Sequence, residues 1–185
     1  MPAPEAPMTD TPGGRMPAGP GWFVLNLADA RGVHVPGSGT YLPLENREHA
    51  FEDFGINVHV LEPGERATLY HEEPAQEGFL VLAGECLALI EEQERVLRAW
   101  DFFHCAPGTR HSFIGAGEGP CVIVMVGSRR LGGVATYPAS EVAARHGVSA
   151  RETTGDDEAA YRGAGWSEER IETPGLWART WTSSS

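Results

Sequence analysis

Between Ile56 and Val126 the chain is a succession of short, β-favouring apolar runs separated by turn signals, and this rhythm limits the fold more than any other feature. The runs are Ile56 to Leu61, Ala67 to His71, Gly78 to Leu82, Cys86 to Ile90, Arg95 to Trp100, Phe102 to Cys105, His111 to Ile114 and Cys121 to Val126. Between them stand Glu62-Pro63-Gly64-Glu65, Ala83-Gly84-Glu85, Glu91-Glu92-Gln93-Glu94, Pro107-Gly108 and the glycine-rich stretch from Gly115 to Pro120. About eight short strands at this spacing imply an all-β sandwich or barrel that closes or covers its edges. At 185 residues the chain suffices for one such domain with extensions, and no internal repeat points to a second.

Ionisable residues cluster within that rhythm. If Ala67 to Glu73 is extended, alternation sends His71 and Glu73 to one face and Tyr70 and Glu72 to the other. Glu77 opens the next run, so a hairpin would return it alongside His71 and Glu73. The Pro107-Gly108 turn then delivers His111 at the head of a run in which Phe113 shares its face. Two imidazoles and two carboxylates meeting inside one β structure form a ligand set for a divalent transition metal. The competing reading is a metal-free barrel whose polar interior binds an organic ligand by hydrogen bonds. Burying unpaired carboxylates is costly unless a cation or hydrogen bonds compensate, which favours the metal.

Other residues carry weaker signals. Gln76 either adds an oxygen donor, holds Glu77, or faces solvent as a turn residue. His59 lines the interior only if its parity faces inward, and His104 and Cys105 alternate faces on a strand and cannot easily act together. Both histidines read as structural. His34, His49 and His146 lie in loop or tail contexts.

The motifs resemble those of the cupin superfamily. In the first, six residues separate Glu77 from Gly84 as in the family, and His71 stands where the first histidine belongs. Gly64 lies one residue too far upstream, and Glu73 replaces the second histidine. In the second, Gly108 and His111 fit, whereas Trp100 replaces the initial glycine, Ala106 the proline and Gly115 the final asparagine. Two further stretches, Ala75 to Leu82 and Arg98 to Cys105, look like a group of small bacterial single-domain cupins, a likeness that supports the fold and names no reaction. The resemblance implies a single jelly-roll barrel (double-stranded β-helix). It also implies a divalent metal, Zn, Fe, Mn or Ni, held by His71, Glu73, Glu77 and His111.

Composition narrows the partners. A net charge of −12 argues against nucleic acid or an anionic membrane surface and for a small-molecule ligand. All fourteen basic side chains are arginines, so neither a Schiff-base lysine nor a phosphate-binding loop with its lysine is available. Cys86, Cys105 and Cys121 lie in apolar strand contexts and read as reduced core residues of a cytoplasmic protein. No apolar run approaches the roughly 20 residues needed to span a bilayer, and no leader-like start is seen.

The flanks differ from the centre. Residues 1–21, rich in Pro, Ala and Gly, read as a disordered arm. The barrel is expected over 22–136, beginning with a strand at Trp22 to Leu27, a loop at Pro36 to Gly39, and an edge strand around Pro43. Residues 137–185 read as a helical extension, with one short helix from Pro138 to His146 stopped by Gly147 and another over Asp156 to Arg162. Trp166, Trp177 and Trp181 are expected to pack on the barrel or on a partner subunit, and a homodimer is the expected assembly. Two functions fit. One is a metal-dependent isomerase, lyase or dioxygenase acting on a small organic acid or sugar derivative. The other is a non-catalytic binding or sensing protein in which any metal is structural.

Overall fold

The computed structural model describes residues 1–46, 48–130, 132–162 and 164–173. In chain order these form β1 (Met8–Thr11), β2 (Gly14–Pro17), β3 (Val33–Val35), β4 (Gly39–Pro43), β5 (Phe54–Leu61), β6 (Glu77–Ala83), β7 (Glu85–Ile90), β8 (Gln93–Arg98), β9 (Phe102–Cys105), β10 (His111–Ala116), β11 (Cys121–Ser128), α1 (Glu141–Arg145), α2 (Asp157–Tyr161) and β12 (Ile171–Glu172). A seven-stranded antiparallel sheet in the order β12-β3-β4-β5-β11-β6-β9 faces a three-stranded sheet in the order β10-β7-β8. The molecule is an all-β jelly roll with few, short helices.

Alternation along the central strands explains why both sheets are buried on two faces. On β11, Cys121 and Ile123 join Leu61, Phe79, Val81, Cys86, Ala88 and Phe113 in the core between the sheets. Its intervening Val122 packs outward with Leu42, Val58 and Val60 beneath Ala30 and the segment before it. A strand apolar on both faces reads as the unbroken run Cys121 to Val126. The small sheet repeats the pattern, with Cys86 and Ala88 inside and Leu89 outside against Tyr70, Ala143 of α1 and Val148. The β6–β7 turn depends on Gly84, whose φ is 70° and where a Cβ would lie 2.2 Å from the Pro120 carbonyl oxygen. All three cysteines are buried and unbridged, and among the described residues no helix is long and apolar enough to cross a membrane.

Several expectations need correction. Within 1–21 the structure forms the β1–β2 hairpin rather than a disordered arm, because backbone pairing substitutes for the missing apolar side chains. The hairpin is tied down by Arg31 N–H to Arg15 C=O (2.8 Å), Gly32 N–H to Gly13 C=O (2.7 Å) and Gly13 N–H to Glu172 Oε2 (2.9 Å). Trp22 to Leu27 is no strand: Trp22 makes a lone bridge to Glu5, and Leu27–Asp29 is a 3-10 turn capped by Asn26. β4 lies inside the sheet, and Pro43 is tolerated as its last residue, opposite Asn57.

Residues 67–71 also depart from a regular strand. They follow β10 through bridges at Arg66–Ile114 and His71–His111 and the Ser112 hydroxyl donating to Thr68 C=O (2.8 Å), while Tyr70 N–H turns out to Val148 C=O (2.7 Å) and Leu69 N–H to the Tyr161 hydroxyl (3.3 Å). Ser140, not Pro138, starts α1, since its hydroxyl accepts from Ala143 N–H (3.1 Å). Asp156 caps α2 in the same way. Trp166 packs edge-on to Tyr161 and under the Arg66 guanidinium, 5.1 Å from the ring centre. Trp177 and Trp181 lie outside the described residues.

Candidate metal centre

Two walls of the barrel supply the site. On one, His71 N–H bonds His111 C=O (3.1 Å) and His111 N–H bonds His71 C=O (2.8 Å), so the two residues are direct cross-strand partners. Their rings therefore stand together, with centroids 4.7 Å apart. The chain then crosses at 74–76 into the other sheet, and the first residue of β6, Glu77, faces the pair from the opposite wall. This crossing replaces the expected hairpin. Nitrogen atoms of His71 and His111 and a carboxylate oxygen of Glu77 lie within 4.8 Å of one another. His111 Nε2 and Glu77 Oε2 approach to 3.5 Å.

Backbone carbonyls fix where the imidazole protons sit. His71 Nδ1 lies 2.8 Å from Leu69 C=O, and His111 Nδ1 lies 3.1 Å from Thr109 C=O. A carbonyl only accepts, so each Nδ1 carries the proton and each Nε2 presents a lone pair to the centre. Glu77 Oε2 is buried and has no hydrogen-bond partner within the protein. With Glu77 ionised, three electron-pair donors thus converge and both histidine protons are turned away.

Burial sets the protonation of the cluster. Desolvation pulls His111 down to about 3, helped by neighbouring His71, and lowers His71 as well. Desolvation, with the nearby Glu73 charge second, pushes Glu77 up to about 7. The cause is an aromatic enclosure: Phe79, Phe113 and Phe103 rings lie 4.9, 5.8 and 6.1 Å from the His111 ring, and Tyr137 lies 5.7 Å from His71. Cys105 Sγ is 3.5 Å from His111 Nδ1, but burial pushes its thiol up to about 12, so it packs as a neutral side chain.

Of the four residues expected in the cluster, His71, Glu77 and His111 come together. Glu73 stands beside it: its Oε1 is 3.8 Å from His71 Nε2 and its side chain is 38% exposed. Gln76 is exposed and makes its bond through the main chain, accepting from Ser128 N–H (2.9 Å). His104 is exposed on β9, whereas Cys105 beside it is buried. His59 faces inward, stacked on Tyr41 with centroids 6.1 Å apart, and its Nδ1 is buried without a partner. Tyr137 was invisible to local pattern, because only the Glu72–Thr136 bridge brings it over His71.

Comparison with known proteins agrees with this architecture. The cupin domain family model matches residues 57–127, the stretch from β5 to β11. A polyketide cyclase, RemF, from Streptomyces resistomycificus superposes with a TM-score of 0.50 at 15% identity, over 58% of this chain and 79% of that one. A sugar phosphate isomerase of the cupin superfamily from Silicibacter pomeroyi aligns at 25% identity and a TM-score of 0.46, over 60% of this chain and 67% of that one. A protein from Acidithiobacillus ferrooxidans aligns at 23% identity and a TM-score of 0.42, over 51% of this chain; this chain spans 62% of its length. No curated protein matches the chain.

Proposed function

This chain belongs to the cupin superfamily, and from that premise we propose that its barrel holds a divalent transition metal on His71, Glu77 and His111 and acts on a small organic molecule. The observation that carries the reading is the orphaned Glu77 Oε2, buried against two imidazole lone pairs. A buried anionic oxygen without a donor is costly, and a cation among the three groups is the partner they lack. Two imidazole nitrogens and one carboxylate suit Fe, Mn, Zn or Ni, and the same set is the facial triad of non-heme Fe(II) oxygenases.

Three converging donors favour an enzyme over a purely structural metal. A closed structural site surrounds its ion with four protein groups, whereas three leave room for substrate. When bound, such an ion supplies Lewis-acid polarisation of a carbonyl or carboxylate oxygen, or a redox centre if it is iron. The chain's own residues do the rest. Leu69 and Thr109 carbonyls hold the imidazoles in one tautomer, Phe79, Phe103 and Phe113 exclude water, and Glu73 Oε1 is positioned to take up or release a proton at a bound molecule. Substrates with adjacent oxygen donors, organic acids or sugar derivatives, fit such a centre, with isomerase, lyase or dioxygenase chemistry.

The deciding experiment is elemental analysis of the protein purified without added metal or chelator, beside the His111→Ala variant. Near-stoichiometric metal that disappears in the variant supports the site. Absence of metal after reconstitution with Fe, Mn, Zn and Ni rejects it and leaves a binding protein for an organic ligand.

A further inference from the structure

A second cavity, of about 700 Å³, opens beside the metal compartment, which encloses about 290 Å³; His59 lines both. Its walls come from opposite ends of the chain: Ser38 and Tyr41 around β4, His59 on β5, and Tyr161 and Trp166 beyond the barrel. Among the described residues, six buried side-chain oxygen or nitrogen atoms lack a partner within the protein, and five of them, on Ser38, Asn57, His59, Glu77 and Trp166, belong to residues lining these two cavities. Unpaired buried polar atoms are rare because each costs about 1–3 kcal/mol, so their concentration here marks a place built for a ligand.

The two cavities ask for different ligands. Glu77 and its histidines present only lone pairs. The larger chamber mixes a pure donor, Trp166 Nε1–H, with Ser38 Oγ, which both donates and accepts, and His59 Nδ1. Burial lowers His59 to about 4, so its imidazole stays neutral at physiological pH. The charged groups at the rim are balanced, Glu158 and Glu168 against Arg162 and Arg170. Arg162 pairs with Glu158, and Arg170 donates to the Ser167 and Glu169 carbonyls (3.0 and 3.1 Å). The aromatic surfaces of Tyr41, His59, Tyr161 and Trp166 supply flat apolar area, and Trp166 is held by Tyr161 and Arg66.

We propose that this chamber binds a small, flat, uncharged ring compound that carries a hydroxyl or carbonyl oxygen. The aromatic walls take the ring; Trp166 Nε1–H donates to its oxygen, and Ser38 and His59 exchange hydrogen bonds with its polar substituents. A phosphorylated or otherwise anionic molecule is disfavoured, since the rim arginines are committed and the chain is strongly acidic. Because His59 walls both cavities, a molecule seated here lies next to the metal compartment. The proposal itself does not depend on a metal being bound.

The test uses the full chain, 15N-labelled, titrated with 2-naphthol as an uncharged probe and 2-naphthyl phosphate as its charged counterpart. Each titration is run as purified and after metal removal with EDTA. The expected result is that 2-naphthol moves the Trp166 indole N–H signal, identified by its loss in Trp166→Phe, in both preparations. Ser38→Ala, which removes only a hydroxyl, should weaken binding about threefold to tenfold, the loss of one hydrogen bond, and Trp166→Phe, which also removes part of the aromatic wall, by at least as much. The phosphate should bind at least tenfold more weakly. No movement of the Trp166 signal, binding unchanged in both variants, equal binding of the phosphate, or binding that vanishes with the metal would each overturn the proposal. A failed metal site would leave it intact.

Discussion

The metal compartment and the chamber beside it share His59 yet are made in opposite ways. In the first, His71, Glu77 and His111 converge with every proton turned away, because the Leu69 and Thr109 carbonyls occupy both Nδ1–H groups. In the second, donors and acceptors are mixed and the charges at the rim cancel. A divalent cation satisfies the first arrangement once Glu77 is ionised, and a neutral hydrogen-bonding molecule suits the second. Polarity inside one barrel is thus sorted by the direction of protons more than by residue type, since histidine serves both sides.

The largest expected effects test whether the two compartments are separable. His71→Ala or His111→Ala should abolish stoichiometric metal, whereas Trp166→Phe and His104→Ala should leave it unchanged, as read by elemental analysis. Equal metal retention in all four would remove the site. Glu77→Gln should weaken metal far more than Glu73→Gln by calorimetric titration; equal losses would restore Glu73 as a fourth ligand. The metal-bound state needs Glu77 ionised, and its carboxyl titrates at about 7 without metal. Below that pH each metal ion must displace a proton, so affinity should fall by up to about tenfold per pH unit as pH drops from 7 to 5. Glu77→Gln should flatten that slope. A profile unchanged by the substitution would assign the proton elsewhere.

A smaller effect concerns the N-terminal hairpin, which touches neither compartment. Deleting residues 1–21 removes its hydrogen bonds to Arg31, Gly32 and Glu172 and uncovers Ala30, which is 2% exposed. We expect a loss of about 2 kcal/mol, or a melting temperature lower by about 4–8 °C, with metal and 2-naphthol affinities preserved. An unchanged melting temperature would mean the hairpin contributes nothing to the fold.

Legibility in the sequence follows how local each cause is. The motif spacing put His71, Glu77 and His111 in one interior although the expected hairpin before Glu77 is a crossing between sheets, and the turn at Gly84 needs a backbone only glycine adopts freely. Position 100 has the same left-handed geometry, φ 75°, but holds tryptophan, which explains the family's glycine there and leaves this chain with local strain. Alternation linked Glu73 to His71, and the two do meet, at 3.8 Å, but the half-exposed setting of Glu73 outside the tight three-residue cluster depends on the crossing at 74–76, which no alternation records. The chamber was not readable either: Ser38, His59 and Trp166 meet only through packing of segments far apart in sequence, and no periodicity records that. Short polar segments mislead for a related reason. β1 and β2 have little to bury, and their backbone pairing leaves no trace in composition.

The smallest expected effect is also the sharpest test of the boundary between the compartments. Leu69 belongs to both: its C=O orients His71 Nδ1 (2.8 Å), and its N–H is bonded by the Tyr161 hydroxyl (3.3 Å), on a residue that lines the chamber. Tyr161→Phe keeps the ring against Trp166 and deletes the hydroxyl that bonds Leu69 N–H and the Tyr137 hydroxyl. Losing these partly buried hydrogen bonds should cost about 1–2 kcal/mol of stability, measured by urea unfolding. If the peptide carbonyl holds His71 independently, metal affinity should change by less than tenfold, below the usual range for losing a direct outer-shell partner. A drop of a hundredfold or more would mean that the chamber wall sets the imidazole through the Leu69 peptide. The two compartments would then be a single unit, with ligand binding in one felt as metal affinity in the other.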